Sequence, residues 1–228
     1  VIKLARKMGI TSYLPAVPSL CLGTAEISLF EMTGAYSTFA NSGIYMEPYF
    51  VSRIEDKNGV VIETFTNSPK EILSEDKNIV MVKLLQGVIN RGSGSRLRWK
   101  YKMNNEIAGK TGTTQNHSDG WFIGFVPDLV TGVWTGADNR AVRFRDLKLG
   151  QGAQMALPIW GEYMNSLYSD SLIELNKARF EIPKNSNNIT LDCSDKTQIE
   201  NEEFINNSNY KIYPNPTSNI LFISSVSE

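Results

Sequence analysis

Ala108-Gly109-Lys110-Thr111-Gly112-Thr113-Thr114 is the stretch on which the fold turns. A cation, two hydroxyls and a glycine alternate along what reads as one strand, Ile107 to Thr114. Side chains alternate across a strand with period two, so Thr111 and Thr113 share a side. A strand of this composition can hold an anionic carbonyl substrate on one face. Downstream, Trp121 to Val126 and Val130 to Gly136 are two more apolar runs, and Pro127-Asp128 supplies the turn between them. Three adjacent strands with short links predict an antiparallel meander.

Helical spacing surrounds the meander. Val1 to Met8 places Val1, Ile2, Ala5 and Met8 on one face, and Gly9 suits a left-handed helix end. Ser28-Leu29-Phe30-Glu31 has the capping-box pattern, with Met32, Ala35, Tyr36 and Phe39 following to about Gly43. Ser74 opens a helix with a stripe of Ile79, Val82, Leu85 and Ile89 that runs out at Arg91-Gly92-Ser93-Gly94. Between these helices, Phe50 to Phe65 is strand-like and broken at Asn58-Gly59, a hairpin turn signal. After the meander, Gln154 to Leu167 returns to helical spacing through Met155, Ile159, Tyr163 and Leu167, with Pro158 as a start or a kink. The expected fold class is α+β, an antiparallel sheet packed by helices.

The 228 residues suffice for one large domain or a domain with a tail, and 41% hydrophobic content supplies a core. A net charge of −1 gives no global field toward nucleic acid or an acidic surface. Cys21 and Cys193 have no metal-ligand spacing and do not fix a redox compartment. No apolar run reaches transmembrane length, and there is no signal peptide. Val1 already lies in a helical pattern, so the chain reads as a piece of something longer. Near Asn176 asparagine becomes dense, and 184–208 reads as a mobile linker or tail. Residues 209–228 regain β character.

Gly109-Lys110-Thr111 ends a phosphate-loop pattern, but Asn104 stands where the first glycine is required and no helix follows. A Ser-His-Asp triad is disfavoured, because the single histidine, His117, lies in a polar turn and reads as solvated, and no serine sits in a Gly-x-Ser-x-Gly elbow. The arginine-rich run from Arg91 to Lys100 carries Trp99 among cations, and it reads as a solvated edge rather than a nucleic-acid contact.

Four segments then fall in order: Ala108 to Thr114, Asp119-Gly120-Trp121-Phe122-Ile123-Gly124-Phe125-Val126-Pro127, Gly132-Val133-Trp134-Thr135-Gly136 and Ala156-Leu157-Pro158-Ile159-Trp160. Together they resemble the C-terminal half of a penicillin-binding protein transpeptidase domain. Upstream, Leu22 to Ser28 and Tyr36 to Gly43 look like the stretch after the second active-site motif of bifunctional, class A members. The resemblance covers residues 1 to about 183. It implies a beta-lactamase/transpeptidase-like fold, present as an incomplete domain.

The family has a serine nucleophile in Ser-x-x-Lys, a Ser-x-Asn motif and Lys-Thr/Ser-Gly on the sheet-edge strand. Only the third is present, and the first two are expected just before Val1. The Ser-x-x-Lys match at Ser74-Glu75-Asp76-Lys77 reads as a helix N-cap. The loop at 91–98 has Gly-Ser-Gly where family members often show Gly-Thr-Gly.

The resemblance implies serine-type D-Ala-D-Ala transpeptidation that cross-links peptidoglycan, with beta-lactams binding as mimics of the acyl-D-alanine end. Lys110 would supply positive field, Thr111 and Thr113 would hydrogen-bond the terminal carboxylate, and Gly112 would let the acyl group lie along the backbone. The Thr113 N–H would be one oxyanion donor, and Thr114 completes the substrate-binding strand. Trp121 and Trp134 are assigned to the core, with Asp119 holding the turn. No metal or cofactor and no nucleic acid is expected. A glycosyltransferase domain and a membrane anchor are expected upstream, and the location is the periplasmic face of the bacterial inner membrane. This chain alone is expected to be inactive. A non-catalytic peptide-binding module of the same fold is the alternative. In the tail, Tyr213-Pro214-Asn215-Pro216-Thr217-Ser218 is similar to the start of the C-terminal sorting domain of the type IX secretion system, the alternative being a flexible tail.

Overall fold

A computed structural model of the chain describes residues 1–173, 175, 179–181, 210–213 and 222–225. The chain divides into two units, Val1–Asn188 and Ile189–Glu228. In the second, β8 (Tyr210–Tyr213) and β9 (Phe222–Ser225) pair antiparallel, in line with the β character of that stretch. The linker expected at 184–208 lies outside the described residues.

The first unit is organised on β5 (Ala108–Thr113), β6 (Asp119–Val126) and β7 (Leu129–Gly136), a three-stranded antiparallel sheet in that order. The pairs Val126↔Leu129 and Ala108↔Phe125 fix the register. Phe122 and Val126 alternate with Ile123 and Phe125, and all four are buried, because β6 is central and covered on both faces.

One face receives α5 (Ala156–Ser169), with Leu157, Trp160 and Met164 packed on Phe122 and Val126. Trp160 lies edge-on to Phe122 at 5.3 Å. A Cβ at Gly124 would come within 2.8 Å of the Trp160 ring, so that glycine lets the indole lie flat against the sheet. The opposite face receives α2 (Leu29–Ala40) and α3 (Glu75–Arg91), which place Tyr36, Phe39, Ile79, Val82 and Leu85 against Ala108, Phe125 and Val130. Further along α3, Ile89 joins the first core beside Leu97 and Ile107. Burying each such aliphatic or Phe side chain is worth about 1.5–3 kcal/mol.

The local signals behave as expected at most helix ends. α1 spans Ile2–Lys7, and Gly9 follows at φ 86°. Ser28 caps α2 with both bonds of the capping box present. Glu31 does more than close that box. Its carboxylate also accepts from the backbone N–H and hydroxyl of both Thr11 and Ser12, joining the segment after α1 to the start of α2. Burial alone would raise the Glu31 carboxyl, but the hydrogen bonds from Ser12, Thr11 and Ser28 outweigh it and hold it well below the usual carboxylate range. Ser74 occupies the N-cap position of α3, without a side-chain cap bond. The hairpin at Asn58-Gly59 joins β2 (Arg53–Glu55) and β3 (Val61–Thr64), shorter strands than the pattern suggests. A two-residue pair, β1 (Ile44–Tyr45) with β4 (Lys70–Glu71), completes the N-terminal part.

Four expectations are corrected. Helix α5 starts two residues before Pro158, whose missing N–H is harmless in a first turn. Its buried face is Leu157, Trp160, Gly161 and Met164, while Ile159 and Tyr163 are exposed. A stripe of strict four-residue steps drifts around a 3.6-residue helix, and the alternative face contains Gly161, where a Cβ would crowd Tyr101 at 3.0 Å. Trp134 is not core. It is 39% exposed, and its Nε1–H donates to Asp119 Oδ2 at 3.2 Å. Trp121, its cross-strand partner, is only half-buried. Asp119 therefore holds Trp134 across the sheet. The run at 91–100 is not a solvated edge either. It forms the short helix α4 (Arg96–Trp99) with Leu97 fully buried. Arg98 donates to the carbonyls of Met103 and Asn105 and to Asn90 Oδ1, so its charge serves the connection into β5.

Candidate functional site

Among the described residues, strand β5 is the outer strand of its sheet, paired only with β6. An edge strand keeps half of its backbone N–H and C=O groups pointing away from its neighbour, available to an extended ligand. The register pairs Thr111 with Phe122 and Thr113 with Gly120, which puts both threonines on the α5 face. Lys110 and Gly112, opposite Ile123 and Trp121, share the other face with Ala108. A ligand lying along the edge can be reached from both faces at once. Lys110 is exposed, and its Nζ donates to the carbonyl of Thr111 at 2.8 Å.

Two segments distant in sequence fasten the threonine face. From the loop after α3, the Ser93 hydroxyl shares a 2.6 Å hydrogen bond with the Thr111 hydroxyl. From the segment before α5, the Gly152 N–H donates to Thr113 Oγ1 at 3.1 Å. Arg96 Nη1 ties the two together by donating to the Ala153 carbonyl at 3.2 Å. Gly152 sits directly on the strand ends. A Cβ there would fall nearer than 3.0 Å to the carbonyl oxygens of both Gly112 and Trp121. Gly112 is itself close-packed, since a Cβ would meet that of Trp121 at 3.0 Å. Both threonine hydroxyls are thereby oriented before any ligand arrives, and each keeps capacity for a further bond.

Thr114 has a different placement. Its hydroxyl pairs with Ser118 Oγ at 2.9 Å and accepts from the Asp119 N–H at 3.3 Å, closing the turn between β5 and β6. His117 lies in that turn. It is not simply solvated, because Nδ1 is buried and has no partner. Ser74 stands at the far end of α3 from Ser93. Seventeen residues at about 1.5 Å rise separate them by roughly 25 Å, so Ser74 does not serve this strand. Among the described residues there is no cluster of three metal-ligating side chains and no helix long and apolar enough to cross a membrane.

Ser93, Arg96 and Gly152 are the site residues that sequence reading passed over. The departure at Gly92-Ser93-Gly94 was the available signal for the first. Nothing in the order of the sequence links the other two to β5.

An antiparallel sheet with helices on both faces thus carries a Lys-Thr-Gly-Thr strand along its edge. The solved penicillin-binding protein 1A of Haemophilus influenzae shares the fold with a TM-score of 0.67 at 23% identity, over 78% of this chain and 31% of that one. PonA1 of Mycobacterium tuberculosis, solved in complex with penicillin V, gives 0.61 at 24% identity, over 78% and 51%. The family model of the penicillin-binding protein transpeptidase domain matches residues 14–140, more than half of the sequence, and the chain belongs to that family. Penicillin-binding protein 1A of Aquifex aeolicus is 37% identical over 164 residues, 72% of this chain. The chain spans only 22% of that relative's length.

Proposed function

We propose that this chain supplies the carboxylate-binding wall of a peptidoglycan transpeptidase site, and that the complete protein cross-links stem peptides ending in D-Ala-D-Ala. The observation that carries this reading is the edge strand itself, with two pre-oriented hydroxyls, Thr111 and Thr113, on one face and Lys110 beside them. The terminal carboxylate accepts from those hydroxyls in the field of Lys110. Gly112 lets the peptide backbone approach, and the Thr113 N–H donates to the developing oxyanion. Thr114 fixes the end of the strand. Acyl transfer also needs a nucleophile and a proton acceptor within hydrogen-bond reach. We assign these to Ser-x-x-Lys and Ser-x-Asn motifs elsewhere in the complete protein, which would carry the glycosyltransferase domain and membrane anchor and work on the outer side of the membrane. Family membership and the relatives' names support this assignment, and beta-lactams would bind the same strand as substrate mimics.

Acylation of the full-length protein by a fluorescent penicillin is the test. Labelling of the unaltered protein, reduced by orders of magnitude in Lys110→Ala, is the expected result. Absence of labelling, with binding of D-Ala-D-Ala peptides retained, would favour the non-catalytic peptide-binding module instead.

A further inference from the structure

The turn Gly92-Ser93-Gly94 presents one hydroxyl to the substrate strand. It wraps the C-terminal end of α3, where the carbonyl of Val88 accepts from the Gly92 N–H at 3.1 Å and from the Gly94 N–H at 3.0 Å. Neither glycine has room for a side chain. A Cβ at Gly92 would lie 2.9 Å from the Cα and the carbonyl oxygen of Val88. One at Gly94 would lie 2.7 Å from Ile89 Cδ1 and 3.3 Å from the Val88 oxygen. Ile89 and Leu97, both fully buried, anchor the turn in the core on either side. Arg96 fastens it further to the Ala153 carbonyl. Ser93 at the apex is exposed, and its hydroxyl meets that of the half-buried Thr111 at 2.6 Å.

The two threonines differ in what holds them. Gly152 offers Thr113 an N–H, which can only donate, so one lone pair of Thr113 Oγ1 is filled and its proton is free. Ser93 offers Thr111 a hydroxyl, and in a pair of hydroxyls either oxygen can be the donor. The group on the other side of Thr111 decides the direction. A carboxylate only accepts. Thr111 carries a single hydroxyl proton, and when that proton goes to a carboxylate, Ser93 must supply the proton between the two hydroxyls. The result is a directed chain, from the Ser93 O–H to Thr111 Oγ1 and from the Thr111 O–H to the anion, in which each bond polarises the next. Thr111 then matches Thr113, with one lone pair filled and one proton delivered to the ligand.

We propose that Ser93 is a positioning residue of the carboxylate site, which donates to Thr111 so that Thr111 donates to an anion, and which thereby sharpens selection of an ionised ligand end over a neutral one. This role rests on the reading of β5 given above. A neutral acceptor such as an ester carbonyl draws less on the chain, because hydrogen bonds to charged acceptors are about twice as strong as neutral ones.

The test compares acylation of the full-length protein by benzylpenicillin and by its methyl ester, each measured as a second-order rate in competition with a fluorescent penicillin. In S93A the rate with the acid should fall about fivefold, the effect of one lost hydrogen bond. The rate with the ester should fall by no more than about twofold. S93T keeps the hydroxyl and should return most of the acid rate. In a T111V background S93A should cause no further loss, because the group through which it acts is gone. Equal losses with acid and ester in S93A would mean that the turn only supports the strand, and would overturn the proposal. An unchanged acid rate in S93A, or a loss that persists in the T111V background, would do the same. Equal rates with acid and ester in the unaltered protein, or acylation by neither, would instead refute the reading of β5.

Discussion

Substituting Gly152 by alanine should disconnect the threonine face of β5 from its support. The added methyl would lie nearer than 3.0 Å to two backbone oxygens, those of Gly112 and Trp121, and no rotamer change can relieve that. Ordinary contact requires 3.4 Å or more, so the segment must retreat by about 1 Å. The Gly152 N–H to Thr113 bond, now 3.1 Å, then passes beyond hydrogen-bonding distance. Losing one neutral hydrogen bond costs about 1 kcal/mol, and overpacking adds about 1–3 kcal/mol. The expected destabilisation is therefore about 2–4 kcal/mol, measured by urea unfolding with tryptophan fluorescence. Acylation of the full-length protein should slow by up to about a hundredfold, as a displacement of this size near a reacting group does. Thr113→Val removes the same bond without the clash and should cost only about 1 kcal/mol. Gly87→Ala is the control. It lies inside α3 with nothing near the position of a Cβ, and it should stabilise by roughly 0.5–1 kcal/mol. A Gly152→Ala protein within about 0.5 kcal/mol of the unaltered one, acylated at the same rate, would refute the reasoning.

Lys110→Ala should lower penicillin acylation of the full-length protein by about two to three orders of magnitude, the usual effect of removing a pre-oriented electrostatic group. Stopped-flow labelling measures this, and a near-unaltered rate would remove Lys110 from the site. The 228-residue chain by itself should form no covalent adduct with a beta-lactam by mass spectrometry, and an adduct on Ser74 would overturn the geometry drawn along α3. Glu31 should make stability depend on pH. Because its folded-state carboxyl is depressed, its contribution is present above the ordinary glutamate range and is lost as pH falls below it toward the folded value. Glu31→Gln should be less stable at pH 7 and show a flatter decline in acid, whereas parallel pH profiles would deny the linkage.

How much of this was legible beforehand follows from the range of each interaction. The stripe of Ile79, Val82, Leu85 and Ile89 is buried as its spacing predicts, and the Ser28–Glu31 box closes as written, because both are settled within a few residues. The meander is of the same kind, since the β6–β7 turn and the apolar alternation of β6 are local. Trp134 and the face of α5 went wrong because burial depends on what covers a residue. Trp134 stands toward the end of β7, where a hydrogen bond to Asp119 leaves its ring partly open. Trp160 wins the core over Ile159 because Gly124 and Gly161 admit close approach there, and each glycine belongs to a different element from the ring it accommodates. The site divides along the same line. Lys110, Thr111 and Thr113 announce themselves as a strand with chemistry, but their orientation is set by Ser93 and Gly152, which lie 18 and 39 residues away along the chain. The residues proposed to face the ligand were therefore readable from composition and order, while the residues that hold them required the packing of α3, β5 and α5 to be known.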